Sequence, residues 1–469
     1  MIYIRTCAYN AEKTLERTIK SVLNQTYQEF EYHILDNGST DKTREILCEY
    51  ARRDKRIISY FNHKNRDFME NPDFWNLSRR IPEDSYFCIL DADDFYEITF
   101  FEEMLQFVTD NQLDMAACGT IFRNGETGVS MGEIVLPENV VIGTPGKLDA
   151  CLPQIYWNLR QVWGKLYTAK VAKSRYETEL PEWWPSYGGD TVNVLECAKK
   201  ANRFGVYARG LHNYSISMKS TSYRWAADRA VADVILYEKA VDFLEQKCGR
   251  VSQENRNFLF LVYCNALHDT LNVLVRSPIS LEEQLSVIRD VVSHDVTKQM
   301  FAVDSGKGRI EEEKTKLQKE IVDWLKLHEK EYGKDTLENV MAIYSQINPD
   351  FPQFVWKEHL EWYLGKMPQV IEKLTLCKYG DAVDFLEEFL VKKEDAPSFA
   401  VQLAQTLAAL LQRQEAYVLY EKLYIGALIR QGDLQSAEAE LAEWEQILPE
   451  DDTLVRLRRQ LEEKKGRNR

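Results

Sequence analysis

Over its first 120 residues the chain repeats one unit, a short apolar run that reads as a strand followed by a run with helical spacing. The strand-like runs are Ile2–Cys7, Phe30–Leu35, Arg56–Phe61 and Tyr86–Leu90. Among the helical runs, Lys13–Gln25 carries Leu15, Ile19, Val22 and Leu23 on one stripe, and Lys42–Arg53 carries Ile46, Leu47 and Tyr50. Phe100–Val108 has the same character. Strands that are apolar on both faces and alternate with helices call for an α/β domain, a mostly parallel sheet covered on both sides. In open sheets of this kind ligands bind beyond the carboxyl ends of the strands. The residues that follow each run are therefore where chemistry is expected.

Two of the runs end in acidic groups. Asp36-Asn37-Gly38-Ser39-Thr40-Asp41 follows the second strand. A carboxylate there can accept hydrogen bonds from a base or a ribose, and Ser39 or Thr40 could equally do no more than cap the next helix. Leu90-Asp91-Ala92-Asp93-Asp94 ends the fourth. Three carboxylates in four residues repel one another unless a cation neutralises them. Hard divalent ions such as Mn²⁺ or Mg²⁺ take such oxygens and often share them with substrate phosphates. Taken alone, the segment is also compatible with an acidic strand-to-helix turn. A third segment, Trp183-Trp184-Pro185-Ser186-Tyr187-Gly188-Gly189-Asp190, leaves Asp190 at the start of a helix, as a candidate base or an ordinary cap. Gly128-Val129-Ser130-Met131-Gly132 matches a hydrolase pattern but lacks the strand before it and the helix after it that a nucleophile elbow needs.

Together these segments resemble the GT-A glycosyltransferases of family 2. Ala8-Tyr9-Asn10 and Ser21-Val22-Leu23-Asn24-Gln25-Thr26-Tyr27 are similar to that family's opening, and Asp36–Asp41 to its D-D-G-S-T-D. Asp91–Asp94 resembles its D-x-D-D. Trp163-Gly164-Lys165-Leu166-Tyr167 leads toward the position of its E-D motif, where Gly189-Asp190 stands, and Leu211–Ser222 resembles its closing stretch. The resemblance covers residues 1–222. It implies a GT-A (Rossmann-like) domain and an inverting transfer from a nucleotide-diphosphate sugar, with UDP-sugar the default, to a hydroxyl of a glycan, lipid-linked or protein acceptor in surface polysaccharide or glycoconjugate synthesis. Asp190 would be the catalytic base. Ala8, Tyr9, Asp36, Asn37, Arg66, Asp91 and Ala92 would line the donor site, with Tyr9, Asp36 and Asn37 on the base and Arg66 on the diphosphate. Asp93, with Asp91, would hold Mn²⁺ or Mg²⁺. Asn37 and Gly189 depart from the family's acidic residues, and Ser217 stands where a metal-binding His often falls, with His212 nearby.

Beyond residue 225 the pattern is helical almost throughout, and between 120 and 220 it is irregular. The expected division is a catalytic domain at 1–224, a helical extension at 225–305 and an all-helical region at 306–469. Gly432-Asp433-Leu434, Ala437, Trp444 and Leu448-Pro449 give that last region a TPR-like signal, with a weaker echo at Gly380-Asp381-Ala382. Such helices suit an acceptor, a protein partner or a second copy of the chain. A net charge of −15 argues against nucleic acid as a partner. The nine cysteines form no CxxC pair, and the N-terminus has no secretory pattern, so the expected location is the cytoplasm, with peripheral contact at the inner membrane face. A nucleotidyltransferase would need a Gly-rich basic loop where Ala8-Tyr9-Asn10-Ala11-Glu12 stands. The departures at Asn37, Gly189 and Ser217 leave a second reading, a catalytically weakened domain that serves as a binding or scaffold module.

Overall fold

The computed structural model describes residues 1–65, 70–174, 187–216, 224–303, 308–328, 339–340, 342–343, 346–347 and 414–467. The chain divides into two compact units, residues 1–278 with 305–317 and residues 279–304 with 318–469.

The first unit is built on a ten-stranded sheet. Its strands are β1 (Ile2–Ala8), β2 (Phe30–Asn37), β3 (Ile57–Asn62), β4 (Tyr86–Ile89), β5 (Phe95–Tyr96), β6 (Met115–Asn124), β7 (Ser130–Ile134), β8 (Val140–Ile142), β9 (Lys165–Thr168) and β10 (Phe204–Ile216). They lie in the order β3-β2-β1-β4-β9-β6-β10-β5, with β7 on β6 and β8 on β10. The β3-β2-β1-β4 half is parallel, as is β6 with β10, whereas β9 runs antiparallel to both its neighbours. This is the mostly parallel GT-A type of sheet that the sequence predicts.

The helices of this unit are α1 (Leu15–Leu23), α2 (Thr43–Arg53), the short α3 (Pro72–Trp75) and α4 (Leu77–Arg80), α5 (Phe100–Asp110), α6 (Pro145–Ile155), α7 (Ala169–Ser174), α8 (Gly189–Lys200), α9 (Arg229–Cys248) and α10 (Gln253–Leu274). Of the stripe read from the sequence α1 buries Leu15, Ile19 and Val22, with Thr18 in addition, and leaves Leu23 partly buried. α5 buries Phe100, Phe101, Met104, Phe107 and Val108, and both helices share one core with Ile2, Ile4, Tyr32 and Ile34 of the sheet.

The described residues between 120 and 216 form regular strands and helices, a correction to the sequence reading. Their strands escape periodicity for physical reasons. β7 is almost wholly exposed, so it has no alternation to read. β10 shifts register twice against β6, around Gly210, which breaks the period of two.

α9 and α10 pack on this sheet unit. Phe243 meets Phe204 at 6.4 Å between ring centroids, and Phe258 meets Tyr156 at 5.6 Å. Asn255 donates to the carbonyl and the carboxylate of Asp149 at 2.8 and 2.7 Å.

In the second unit, helices Leu281–Ser293 and Asp295–Ala302 are capped by Ser280 and His294. The last three described helices, Gln414–Gln431, Leu434–Ile447 and Asp452–Arg467, enclose a cluster of Ile425, Leu428, Ile429, Ala437, Leu441, Leu454, Leu457 and Leu461. Gly432, at φ +91°, ends the first of them, and the Asp433 carboxylate accepts the Ser436 N–H at 3.2 Å to start the next. The TPR-like signal falls on this turn and the helix after it. Its echo at 380–382 lies outside the described residues. Among the described residues no helix is long and apolar enough to cross a membrane, and the eight described cysteines form no disulfide.

Candidate active site

The chain winds from β1 out to β3 on one side and returns to β4 on the other side of β1. That reversal opens a crevice at the carboxyl ends of β1 and β4. Ala8 ends β1, is buried, and pairs with Asp36 at the end of β2. Tyr9 follows and is 45% exposed. Asn10 has a left-handed backbone, φ +50°; its N–H donates to Ser39 Oγ at 3.0 Å and its side-chain oxygen accepts the Thr40 N–H at 2.9 Å. The Ala11 N–H donates to Thr43 Oγ1 at 2.7 Å and the Glu12 N–H to Asp41 at 3.0 Å. The loop after β1 is thus fastened to the loop after β2.

Asp36 is fully buried. One of its oxygens accepts the Ser39 N–H at 3.0 Å and the other accepts Arg44 Nε at 2.7 Å. Arg44 also donates to the Asn62 carbonyl at 2.9 Å. Asn37 belongs to a run of amides that the sequence reading missed. Asn71 donates to Asn62 Oδ1 at 2.6 Å, Asn62 to Asn37 Oδ1 at 2.8 Å, and Asn37 to Asn65 Oδ1 at 3.1 Å. The available signal was three asparagines within ten residues, Asn62 to Asn71, at the end of a strand. Arg66 lies outside the described residues.

The acidic loop after β4 is held by its backbone. The hydroxyls of Thr14 and Thr18 donate to the Ala92 carbonyl at 2.9 and 3.0 Å, and Thr18 also donates to the Asp94 carbonyl at 2.7 Å. Arg17 and Ser215 Oγ donate to the Asp93 carbonyl at 2.6 and 2.5 Å. Thr14, Arg17 and Thr18 are three and four residues apart, hence on one face of α1. With its carbonyl taken, the Asp93 side chain is left exposed. Asp94 is the inner member, fully buried, and its Oδ1 accepts the Ser215 N–H at 2.8 Å. Its Oδ2 has no hydrogen-bond partner among the described residues and lies 3.2 Å from His212 Nε2.

Burial, and then the charges of Asp94, Asp190 and Asp93, push the Asp91 carboxyl well above the usual carboxylate range, against the pull of Arg5. Desolvation by the surrounding protein raises Asp93, which keeps solvent access, and the buried Asp94, with Arg17 opposing in both cases. His212 is fully buried and stacked on Trp163 at 4.3 Å. Burial, followed by the charge of Lys165, pushes its imidazole down to about 3, so the ring is neutral. His212 therefore meets Asp94 as a neutral ring. Ser217 lies outside the described residues.

Asp190 is in the first turn of α8, where the helix dipole favours an anion. The turn that delivers it needs Gly188, at φ +82°; a Cβ there would meet the Leu236 side chain of α9 at 2.9 Å. The Arg229 guanidinium lies 4.2 Å from the Tyr187 ring centroid, and Thr191 Oγ1 donates to the Arg160 carbonyl at 2.8 Å. The Asp190 pKa is raised, mainly by desolvation, with Lys165 and Arg5 pulling the other way. Arg5 is a cation in an otherwise apolar strand, fixed by a bond to the Trp75 carbonyl at 3.2 Å and by the Phe74, Trp75 and Phe87 rings. Arg5, Arg17, Lys165 and Ser215 were not read from the sequence. Arg5 and Lys165 could have been, as lone charges in buried strands.

Asp91, Asp93, Asp94 and Asp190 thus share one electrostatic neighbourhood, with Ala8, Tyr9, Asp36 and Asn37 at the neighbouring strand ends. Among the described residues no three His, Cys, Asp or Glu side chains form a closed metal cluster. The donor set fits an open site. Mutually repelling carboxylates and the unpartnered oxygen of Asp94 favour a cation, and hard ions commonly take one or two protein carboxylates and complete their shell with substrate phosphates and water.

Residues 3–147 match the family described as Glycosyl transferase family 2. The glycosyltransferase EpsJ of Bacillus subtilis is 30% identical over 311 residues, 62% of this chain and 83% of that protein. The Escherichia coli protein named UDP-Glc:alpha-D-GlcNAc-diphosphoundecaprenol beta-1,3-glucosyltransferase WfaP is 32% identical over 108 residues, 23% of this chain and 41% of that protein. The chain spans 33% and 42% of the length of two Haemophilus influenzae glycosyltransferases that it matches. A crystal structure of S. aureus TarS 1–349 with UDP-GlcNAc is 15% identical, with a TM-score of 0.46 over 73% of this chain and 90% of that one.

Proposed function

We propose that this chain, which belongs to glycosyl transferase family 2, transfers a sugar from a UDP-sugar to a hydroxyl of a glycan, lipid-linked or protein-linked acceptor, with inversion at the anomeric carbon. The observation that carries the reading is the meeting of the Asp91–Asp94 loop with Asp190 where the strand order reverses. WfaP, by its name, takes UDP-Glc and an undecaprenol-linked acceptor, which supports a UDP donor and surface-polysaccharide chemistry. A lipid-linked acceptor would bring the chain to the inner membrane face.

In this reading Tyr9, Asp36 and Asn37 hold the base at the ends of β1 and β2, beside Ala8. The bonds that Asp36 accepts from Ser39 and Arg44 also keep the loop of Asn37 and Ser39 in shape. Asp91 and the Ala92 backbone meet the ribose and diphosphate, and Asp93, with Asp91, is the ligand set for Mn²⁺ or Mg²⁺. A bound ion supplies charge neutralisation for the leaving diphosphate. Asp190 takes the proton from the acceptor hydroxyl as that oxygen attacks the anomeric carbon, and its raised pKa makes it a stronger base than a free carboxylate.

The test is incubation with UDP-, GDP-, CDP- and dTDP-sugars with and without Mn²⁺, reading release of the nucleoside diphosphate. Mn²⁺-dependent release of UDP, lost in Asp190→Asn, is expected. Neither turnover nor Mn²⁺-dependent UDP binding would leave the scaffold reading in its place.

A further inference from the structure

The run of amides beside the donor site has a direction, and backbone sets it. Asn37 ends β2, Asn62 ends β3, and the two are register partners in the parallel pair. Their side chains therefore stand side by side on one face of the sheet. Both are buried, Asn62 at 1% exposure and Asn37 at 6%. Asn71, just before α3, gives one amide nitrogen to two oxygens, the Phe61 carbonyl at 3.0 Å and Asn62 Oδ1 at 2.6 Å. A peptide carbonyl only accepts, so Asn71 must turn its NH2 toward it. Asn62 must then turn its oxygen to Asn71 and its nitrogen to Asn37, to which it donates at 2.8 Å. Asn37 in turn faces Asn62 with its oxygen and donates from its nitrogen to Asn65 Oδ1 at 3.1 Å. Gly38 lets the loop of Asn65 come this close, since a Cβ there would lie 2.8 Å from the Asn65 backbone nitrogen. The Cys7 thiol, near the end of β1, also bonds the Asn37 side chain. A thiol can donate or accept, so it does not choose between the two ends of an amide.

The choice has a consequence at a pyrimidine. Uracil offers N3–H and an oxygen at C4, whereas cytosine offers a bare N3 and an amino group there. Each edge complements a side-chain amide in one orientation only: oxygen to N3–H and nitrogen to O4 for uracil, the reverse for cytosine. A carboxylate at 37 would only accept, and would read N3–H without help. An amide able to turn either way reads both bases alike. An amide oxygen accepts two bonds and an amide nitrogen donates two, so one side chain can belong to such a ladder and meet a base as well.

We propose that Asn62 and Asn71 are specificity-determining positioning residues, which lock the Asn37 amide in the orientation that takes a uracil edge and refuses a cytosine. That Asn37 meets the base rests on the function proposed above; the direction of the ladder does not.

The test is titration of the full chain with UDP and with CDP, each with Mn²⁺, for the wild type, Asn62→Asp and Asn71→Ala. The two ligands differ only in the pyrimidine edge, so the ratio of their Kd values reads that edge. A variant that merely loosens the loop weakens both by the same factor. The wild type should prefer UDP by about tenfold or more, the scale of one hydrogen bond opposed rather than made. Asn62→Asp keeps the shape but can only accept, so Asn37 must turn its nitrogen toward it, and the preference should vanish or pass to CDP. Asn71→Ala removes the half-buried outer member that gives the ladder its direction. It should lose part of the preference, and it decides the matter if Asn62→Asp does not fold. Variants that keep the wild-type ratio overturn the ladder and leave the UDP-sugar reading standing, as does a wild type that binds UDP and CDP equally. A wild type that binds neither nucleotide overturns both.

Discussion

Four carboxylates held in one cleft cannot all ionise freely, and that sets the chemistry residue by residue. Desolvation raises Asp91, Asp93, Asp94 and Asp190, and repulsion from neighbouring carboxylates adds to it at Asp91 and Asp94. Mn²⁺ must displace these protons, so its affinity should climb as pH rises through the acid range, which calorimetry at a series of pH values would show. Asp190→Asn should lower kcat by about 10²–10⁴, the usual contribution of a general base, and leave the Kd for UDP with Mn²⁺ unchanged. Asp93→Ala should do the reverse to binding and abolish its metal dependence. Outside the cleft, Asp233 of α9 is 1% exposed, accepts Thr270 Oγ1 at 2.5 Å and is pushed up to about 6, mainly by burial. Below the unfolded value near ~3.9 both states hold its proton, so it has no effect on stability there. Between that value and about 6 the folded state alone keeps the proton, so rising pH removes stability, by roughly 2–3 kcal/mol once above 6. Asp233→Asn should therefore be more stable than the wild type at pH 8 and equal to it at pH 4 in denaturant unfolding.

At the level of elements, the site depends on backbone turns that tolerate only glycine. Gly38, at φ +77°, sits so close to the next loop that a Cβ would lie 2.7 Å from the Lys64 carbonyl carbon. Backbone cannot yield as a side chain can. Gly38→Ala should cost about 1–3 kcal/mol and weaken UDP binding, because Asn37 and Ser39 flank it. Gly188 meets a side chain, Leu236, so Gly188→Ala can be partly absorbed. Its cost should fall on kcat, through the start of α8, and smaller Leu236 variants should restore part of the loss. The elements themselves were unequally legible. β1 to β4 could be read because each is a short run rich in apolar and aromatic residues. The acidic loop could be read because carboxylates after such a strand have few structural uses. Its anchors could not: Thr14, Arg17 and Thr18 look like ordinary helix surface until Ala92 and Asp93 are laid against them.

For the whole molecule, the sheet unit extends well past the family match that ends at residue 147. α9 and α10 bury Phe243 and Phe260 at 0% and 1% exposure, and Phe243 packs toward Phe204 of β10. Phe243→Ala should cost about 3–5 kcal/mol, the range for emptying a buried aromatic site. Because α9 also supports Gly188 and Tyr187, the same variant should lose turnover at temperatures where UDP still binds. α9 and α10 are in this respect part of the sheet unit's core.

The sequence by itself determined the α/β plan of the first 110 residues, the family, and the acidic positions at the strand ends, because each depends on local pattern: apolar runs, helical stripes and polar residues directly after them. Only the tertiary structure decided which charges face one another. His212 and Asp94 are more than 100 residues apart in sequence, and Ser215 reaches the Asp93 carbonyl across a similar distance. The strand order also escaped the sequence: β9 enters antiparallel between β4 and β6, a position fixed by long-range pairing rather than by any property of Lys165–Thr168. Local periodicity reports burial, and burial is a property of an element. Partnership is a property of pairs, and a chain acquires it only when it closes on itself.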